Sequence, residues 1–290
     1  MPVRACRQAL STDAAALLDW FTPTSEVTVA FSGGVDSSLV LAAAARSLGS
    51  ARVHAVTAVS DALPAGMLDV ARNVAETLGV RHSEIRTREI DNPGYAANGP
   101  DRCYFCKATL IDTVAAHGHL GAGNLLVTGT NADDVAAGWR PGIRAAAERG
   151  VGTPLADTGM GKEAVRELSR EWQLPTADQP ASPCLSSRVA YGIAITPARL
   201  ARIDAAEQSV RRALARHGIT TVDLRVRDLG GQARVEVDAD VAGVVHGLPE
   251  VSNAVSDAVA AAGFTGAPVQ IAVFASGSLN AALPTELRFR

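Results

Sequence analysis

Three short stretches hold residue types and spacings that can do chemistry. SGGVDS (Ser32 to Ser37) follows an apolar run, Cys103 and Cys106 stand three apart in DRCYFCK, and Cys184 lies in SPCLSSR between Pro183 and Arg188. The Gly33-Gly34 pair lets backbone N–H groups turn toward phosphate oxygens with no Cβ in the way. A helix beginning behind it would add its N-terminal dipole, and Ser32, Ser37 and Ser38 would supply hydroxyl donors. Asp36, an acid beside phosphates, needs a cation such as Mg²⁺ to stay favourable there. The fixed lysine of GxxxxGK[ST] is missing, so the stretch is not a Walker A loop. Its structural alternative is a Gly-Gly turn capped by Asp36 and Ser37.

The CxxC pair admits several readings. At the start of a helix, positions i and i+3 share a face, near enough for two thiols to bind one metal. A thioredoxin-like redox pair normally follows a strand, whereas this one follows a Gly/Asn/Pro loop, Asp91 to Asp101. Zinc would need two more ligands; His117 and His119 are nearest in sequence, and both also suit a solvated helix end. An iron–sulfur cluster would take Cys184 as its third ligand and leave one iron open for a non-protein sulfide. Two buried structural cysteines are the plain alternative. As a thiolate, Cys184 would serve as nucleophile or metal ligand. Arg188 favours that charged form, and Pro183 stiffens the loop that aims it. Cys6, near the start of the chain, is a bystander.

Elements must position these residues. Thr12 to Trp20 reads as a helix, VTVAF (Val27 to Phe31) as a buried strand running into SGGVDS, and SSLVLAAAARSL as the helix behind it. RVHAVTAV is a second strand, Pro64 to Leu78 a helix stopped by Gly79, and RHSEIRT a third strand. CYFCKATLIDTVAAHG reads as a helix and NLLVTGT as a strand breaking into the loop TNADD. Strands alternating with helices predict a parallel sheet covered on both faces. From Pro197 the pattern changes: one long helix to His217, stopped by Gly218, then a hairpin about Gly230-Gly231. A helix (Glu250 to Ala262) and a strand (Pro268 to Phe274) complete a small α+β unit. The expected domains are 1–190 and 191–290. In the hairpin Asp223, Arg225 and Arg227 alternate with Val222, Leu224 and Val226, so three polar groups share one face, whose plain reading is solvated.

Composition excludes several classes. The chain has 290 residues, 47% hydrophobic and 20% charged, which is ample for a buried core. Net charge is −3 with no basic run, so nucleic acid is not expected as a partner. Lys107 and Lys162 are the only lysines among 27 basic residues, which reads as a coding bias. The opening MPVRACRQALSTD has no apolar core of a leader, and no long apolar run follows, so neither export nor membrane spanning is expected. Four cysteines do not make a disulfide scaffold and suit a reduced cytoplasm.

SGGVDS after an apolar strand resembles the PP-loop of the ATP pyrophosphatases, which implies a Rossmann-like α/β fold and cleavage of ATP between its α- and β-phosphates. The stretch from Val127 to Gly192 is similar to the LarE family of ATP-dependent sulfur transferases: GTNADD, RPG, PL before a helix and CLSSR match in order and spacing. With SGGVDS and RCYFCK the resemblance covers nearly the whole chain. GSLN (Gly277 to Asn280) resembles the family's C-terminal signature, while IAVFA before it departs from the acidic, glycine-bearing stretch usual there. The resemblance implies adenylation of the carboxylates of a pyridinium-3,5-biscarboxylic acid mononucleotide and their conversion to thiocarboxylates, en route to a nickel-pincer cofactor. Members with one essential cysteine give up its sulfur and keep dehydroalanine. Members with three hold a [4Fe–4S] cluster, the type that Cys103, Cys106 and Cys184 imply here. It also implies a homo-oligomer, Asn131, Asp133 and Asp134 beside the nucleotide or its Mg²⁺, and Arg225 and Arg227 on the substrate phosphate, with Trp139 and Arg140 as weaker candidates. A PP-loop tRNA thiolase and an amide-forming ligase are the competing readings.

Overall fold

The computed structural model describes residues 11–118, 123–138 and 140–279. Cys6, His119, Trp139 and Asn280 lie outside them.

Ser11 caps helix α1 (Thr12–Phe21) by accepting from the Ala14 N–H. Strand β1 (Glu26–Ala30) leads through SGGVDS into α2 (Val35–Leu48), and β2 (Val53–Val59), α3 (Met67–Thr77) and β3 (Arg81–Arg86) follow. A one-turn helix α4 (Pro93–Ala96) precedes α5 (Arg102–Ala116), which begins at the CxxC pair, and β4 (Asn124–Val127) comes after it. Four helices, α6 (Ala132–Ala136), α7 (Pro141–Ala147), α8 (Pro154–Asp157) and α9 (Lys162–Glu171), fill the span before the Cys184 loop. That loop ends in a single 3₁₀ turn, Leu185–Arg188.

The first four strands form one parallel sheet in the order β3-β2-β1-β4. The chain steps outward from β1 to β3 and then returns to add β4 on the other side of β1. The loops after β1 and β4 therefore part company at the carboxyl ends of adjacent strands, where a crevice opens. Val27, Thr28 and Val29 are buried, as a central strand covered on both faces requires. α2 packs against α1 and α9 through Leu39, Val40 and Ala43, with Val165 and Leu168 facing inward from α9.

The C-terminal part has α10 (Pro197–Arg216), β5 (Leu224–Asp228), β6 (Ala233–Val237), α11 (Ala239–Gly247), α12 (Pro249–Ala261) and β7 (Val269–Val273). β5 and β6 are the antiparallel hairpin, with Gly230 at φ +87°, and β7 adds to β6 in parallel. Its core joins Leu200, Ile203, Val226, Val235 and Val255, and also takes in Tyr95, Leu185 and Val189 from earlier in the chain. All five residues of β5 are buried, so Arg225 and Arg227 do not lie on a solvated face. The Cys184 loop covers that face, pairing Val189 with Asp228. No described helix is long and apolar enough to cross a membrane.

Candidate active site

A cleft of about 280 Å³ opens where β1 and β4 diverge, lined by Ser32, Gly34, Asp36 and Ser37 from one loop and Gly129, Thr130 and Asp134 from the other. Gly34 caps α2 without a side-chain hydrogen bond, so the helix's first N–H groups are left for an anion. Gly33 is needed twice: its φ is +74°, and a Cβ there would stand 3.1 Å from the Ala71 nitrogen of α3. A Cβ on Gly129 would meet the Ser37 nitrogen at 2.7 Å, so the two loops touch backbone to backbone. The Ser37 hydroxyl donates to the Gly34 carbonyl (3.1 Å) and lies 3.2 Å from Ser32 Oγ. Ser38 departs from expectation. Its buried hydroxyl has no hydrogen-bond partner among the described residues and does not line the cleft, because helix neighbours point about 100° apart and Ser37 takes the open side.

Asp36 carries two partners that the sequence reading did not assign. Lys162 Nζ lies 2.5 Å from Oδ2, and Asn131 Nδ2 donates to Oδ1 at 3.1 Å. Asn131 does cap α6, in a reciprocal box with Asp134. The same side chain also reaches Asp36, so capping and site-building are one arrangement. Asp133 accepts the Lys162 N–H at 2.7 Å and thereby fixes the start of α9 against α6. Arg140 is exposed, 3.6 Å from Asp134 Oδ1.

The chain's other lysine, Lys107, also lines the cleft. Burial pushes its pKa down, and the Cys106 and Cys103 thiols pull it partly back. Both lysines of a chain that otherwise uses arginine thus sit at one site, and coding bias does not account for that. An ammonium is a compact point charge on a flexible stem, and a guanidinium does not replace it at a crowded phosphate. The signal in the sequence was the rarity of lysine itself.

α5 presents Cys103 to solvent and half-buries Cys106 against the same apolar cluster that Cys184 touches. Burial pushes the Cys106 thiol up, and Cys184, Glu89 and Cys103 push it further, so the three sulfurs are gathered within electrostatic reach. Buried Arg102 stands among them. Its Nη2 lies 3.8 Å from Cys103 Sγ, and its Nη1 donates to Asn98 Oδ1 (2.7 Å) and to the Ser186 carbonyl (2.9 Å). Burial alone would lower the pKa of Arg102; the Cys103 and Cys184 sulfurs and Tyr191 together outweigh it and raise it. Three thiols around a buried cation suit an anionic iron–sulfur group in donor chemistry. As placed, no three ligating side chains among the described residues form a metal site. Zinc through His117 fails on length, since that residue follows the far end of α5, about 20 Å from Cys103 at 1.5 Å per residue.

Four buried arginines hold the backbone of the Cys184 loop. Arg188, 1% exposed, donates to the carbonyls of Pro183 and Cys184 (3.1 Å) and pairs with Glu207 at 2.9 Å. Arg227 donates to the Ser187 carbonyl (3.1 Å) and pairs with Glu236 at 2.7 Å. Arg225 donates to the carbonyls of Ala181 and Leu224 under the ring of Phe274, and Arg102 holds Ser186. Ser278, in the GSLN segment, donates to Glu236 at 2.9 Å. Two expectations change accordingly. Arg188 grips the Cys184 backbone rather than its sulfur, and Arg225 and Arg227 are committed to protein groups rather than free to clamp a phosphate.

Comparison with known proteins agrees with this architecture. Residues 23–180, more than half the chain, match the asparagine synthase family model. An uncharacterised Synechocystis protein is 41% identical over 76% of this chain and 80% of its own. The pyridinium-3,5-bisthiocarboxylic acid mononucleotide synthase of Lactiplantibacillus plantarum is 33% identical over 79% of this chain and 80% of its own. A glutamine-dependent NAD(+) synthetase of Rhodobacter capsulatus is 41% identical over a shorter span, 26% of this chain and 13% of its own.

Proposed function

The chain belongs to the LarE family of PP-loop ATP-dependent sulfur transferases, and on that premise we propose that it adenylates pyridinium-3,5-biscarboxylic acid mononucleotide and turns its carboxylates into thiocarboxylates for a nickel-pincer cofactor. One observation carries the reading: Lys107 lines the nucleotide cleft while its neighbour Cys106 joins the three-thiol centre. Activation and sulfur delivery thus meet on one turn of α5.

The first N–H groups of α2, with Ser32 and Ser37, receive the triphosphate, and Lys162 and Lys107 balance its charge. Asp36, oriented by the Asn131 amide, would hold Mg²⁺ as Lys162 turns from the carboxylate to the phosphates. A substrate carboxylate oxygen attacks the α-phosphorus, the bond to the β-phosphate oxygen breaks, and pyrophosphate leaves. The acyl-adenylate is then open to sulfur, with AMP as leaving group. Cys103, Cys106 and Cys184 would hold a [4Fe–4S] cluster, which supplies an exchangeable sulfide in place of protein sulfur. The arginine-held backbone keeps Cys184 in place, and buried Arg102 offsets the negative charge of the thiolates. The proposal includes a cytoplasmic setting, a homo-oligomer, and a division near residue 190 between the adenylating unit and a smaller C-terminal unit.

The test is pyrophosphate release from ATP that depends on the mononucleotide, with iron and sulfide analysis of anaerobically prepared protein and the mass of the Cys184 peptide after turnover. Release that depends instead on tRNA or on ammonia assigns the chain to the thiolases or the amide-forming ligases. Dehydroalanine at Cys184 would replace the cluster by the cysteine's own sulfur.

A further inference from the structure

The loop ahead of the CxxC pair holds a residue that the reaction above leaves unused. Asn98 is fully buried, and with φ +54° it is one of two non-glycine residues in the left-handed region among those described. Asparagine tolerates that backbone better than most side chains, but glycine tolerates it best. The Asn98 side chain therefore supplies something that glycine lacks.

Its partners come from both halves of the thiol centre. Nδ2 donates to the carbonyls of Ala190 (2.8 Å) and Ile193 (2.9 Å), with the Val189 carbonyl farther off at 3.4 Å. Oδ1 accepts from Arg102 Nη1 at 2.7 Å, and the Asn98 carbonyl accepts the Gly192 N–H at 3.1 Å. Three carbonyls on one side and a guanidinium on the other fix which end of the amide is which. An aspartate here would offer the carbonyls no donor, and a glycine would offer neither group.

These contacts join two elements. Arg102 opens α5 and directly precedes Cys103. Val189 to Ile193 follow the 3₁₀ turn that Cys184 leads into, where the Ser187 N–H donates to the Cys184 carbonyl (2.9 Å) and the Val189 N–H to that of Ser186 (3.2 Å). This hydrogen-bonded run carries the placement of Val189 back to Cys184. The Ala190 N–H in turn donates to the Asp228 carbonyl at 3.0 Å, so Asn98 and the end of β5 hold the run from two sides. We propose that Asn98 is the positioning residue of the thiol centre, its one amide setting the Cys184 loop against the CxxC helix. This role deepens the function proposed above and rests on it only for what the thiols deliver.

Dibromobimane, which joins two thiols and loses a bromide at each end, measures the placement in the full chain stripped of iron. Peptide mass spectrometry counts bridges from Cys184 to Cys103 or Cys106 against the Cys103–Cys106 bridge, which lies within α5 and is the internal standard. In the parent both kinds form. Asn98→Asp keeps the size and the Oδ1 acceptor, and Asn98→Gly suits the backbone; in both, the ratio should fall about tenfold or more. MgATP affinity should stay within about twofold, because Asn98 does not line the nucleotide cleft. An unchanged ratio in either folded variant, or no Cys184 bridge in the parent, overturns the role. So does loss of the fold in both variants, which would make Asn98 a folding residue alone. Thiocarboxylate formed per pyrophosphate released should fall with the ratio. A parent that releases no pyrophosphate sinks the reaction and not the placement by Asn98, which the bridges decide.

Discussion

The ammonium of Lys162 lies 2.5 Å from Asp36 Oδ2, joining positions 126 residues apart at the mouth of the nucleotide cleft. A loop without the Walker lysine thus receives its lysine from the start of α9. Both side chains are partly exposed, so the pair itself contributes no more than about 1 kcal/mol to stability. Lys162→Met should shift Tm by no more than about 3 °C. Substrate-dependent pyrophosphate release should fall about a hundredfold or more, since a preorganised cation is lost from the phosphates. A release rate within about threefold of the parent would show that Lys162 only neutralises Asp36.

The contact between the two cleft loops makes a second expectation. A Cβ on Gly129 would stand 2.7 Å from the backbone nitrogen of Ser37, and neither side has a flexible end that can yield. Gly129→Ala should cost about 1–3 kcal/mol in urea unfolding and weaken MgATP binding. Gly243, inside α11 with open space around its Cβ, is the control. There alanine should stabilise by up to about 1 kcal/mol. Equal effects at the two positions would remove the argument from close approach.

What could be seen in the sequence was local. SGGVDS, the CxxC helix and the Gly-Gly hairpin each declare themselves within a few residues, and each stands where its pattern places it. The Lys162–Asp36 pair has no local signature beyond the scarcity of lysine. Arg225 and Arg227 show the opposite failure: a period-2 alternation reads as a solvated face until another segment covers it, and here the Cys184 loop does. The short helix α11 has no clear signature in the sequence, because Ala239–Gly247 includes two glycines and spans little more than two turns. Ser38 reads like Ser37 in a string and differs only by the 100° step between helix neighbours.

The support of the Cys184 loop can be measured through Glu207. Its carboxylate takes the Arg188 guanidinium at 2.9 Å and the Val226 N–H at 3.0 Å, in a setting where Arg188 is 1% exposed. Glu207→Gln leaves that cation buried without its counter-charge, which should cost about 3–5 kcal/mol. Glu84→Gln breaks the exposed Arg72 pair and should cost no more than about 1 kcal/mol. Urea unfolding of both variants decides it, and a Glu207 loss as small as that of Glu84 would sink the clamp.

His82 gives the fold a pH dependence of known sign. The Thr57 hydroxyl donates to the Phe31 carbonyl at 2.8 Å, so His82 Nε2, also at 2.8 Å, is the donor toward Thr57. Burial holds this imidazole below its ordinary pKa, more than the nearby Glu84 carboxylate raises it. Between the two values the unfolded chain binds the extra proton, so this contribution is complete above about pH 6.5 and is lost as the pH falls. The drop in unfolding free energy from pH 7 to pH 5.5 should be smaller in His82→Gln than in the parent. An equal drop in both assigns the acid sensitivity to carboxylates.

Thiol reactivity tests the cysteine centre without needing turnover. Cys103 is exposed, whereas the Cys106 thiol is pushed up by burial and then by Cys184, which keeps it protonated and slow to react. Iodoacetamide at pH 7.5, followed by peptide mass spectrometry, should label Cys103 first and Cys106 last. Anaerobic iron–sulfide reconstitution should protect Cys103, Cys106 and Cys184 together, since a cluster held by all three removes every nucleophile at once. Protection of Cys103 and Cys106 alone would leave Cys184 outside the cluster, free to give up its own sulfur to the acyl-adenylate.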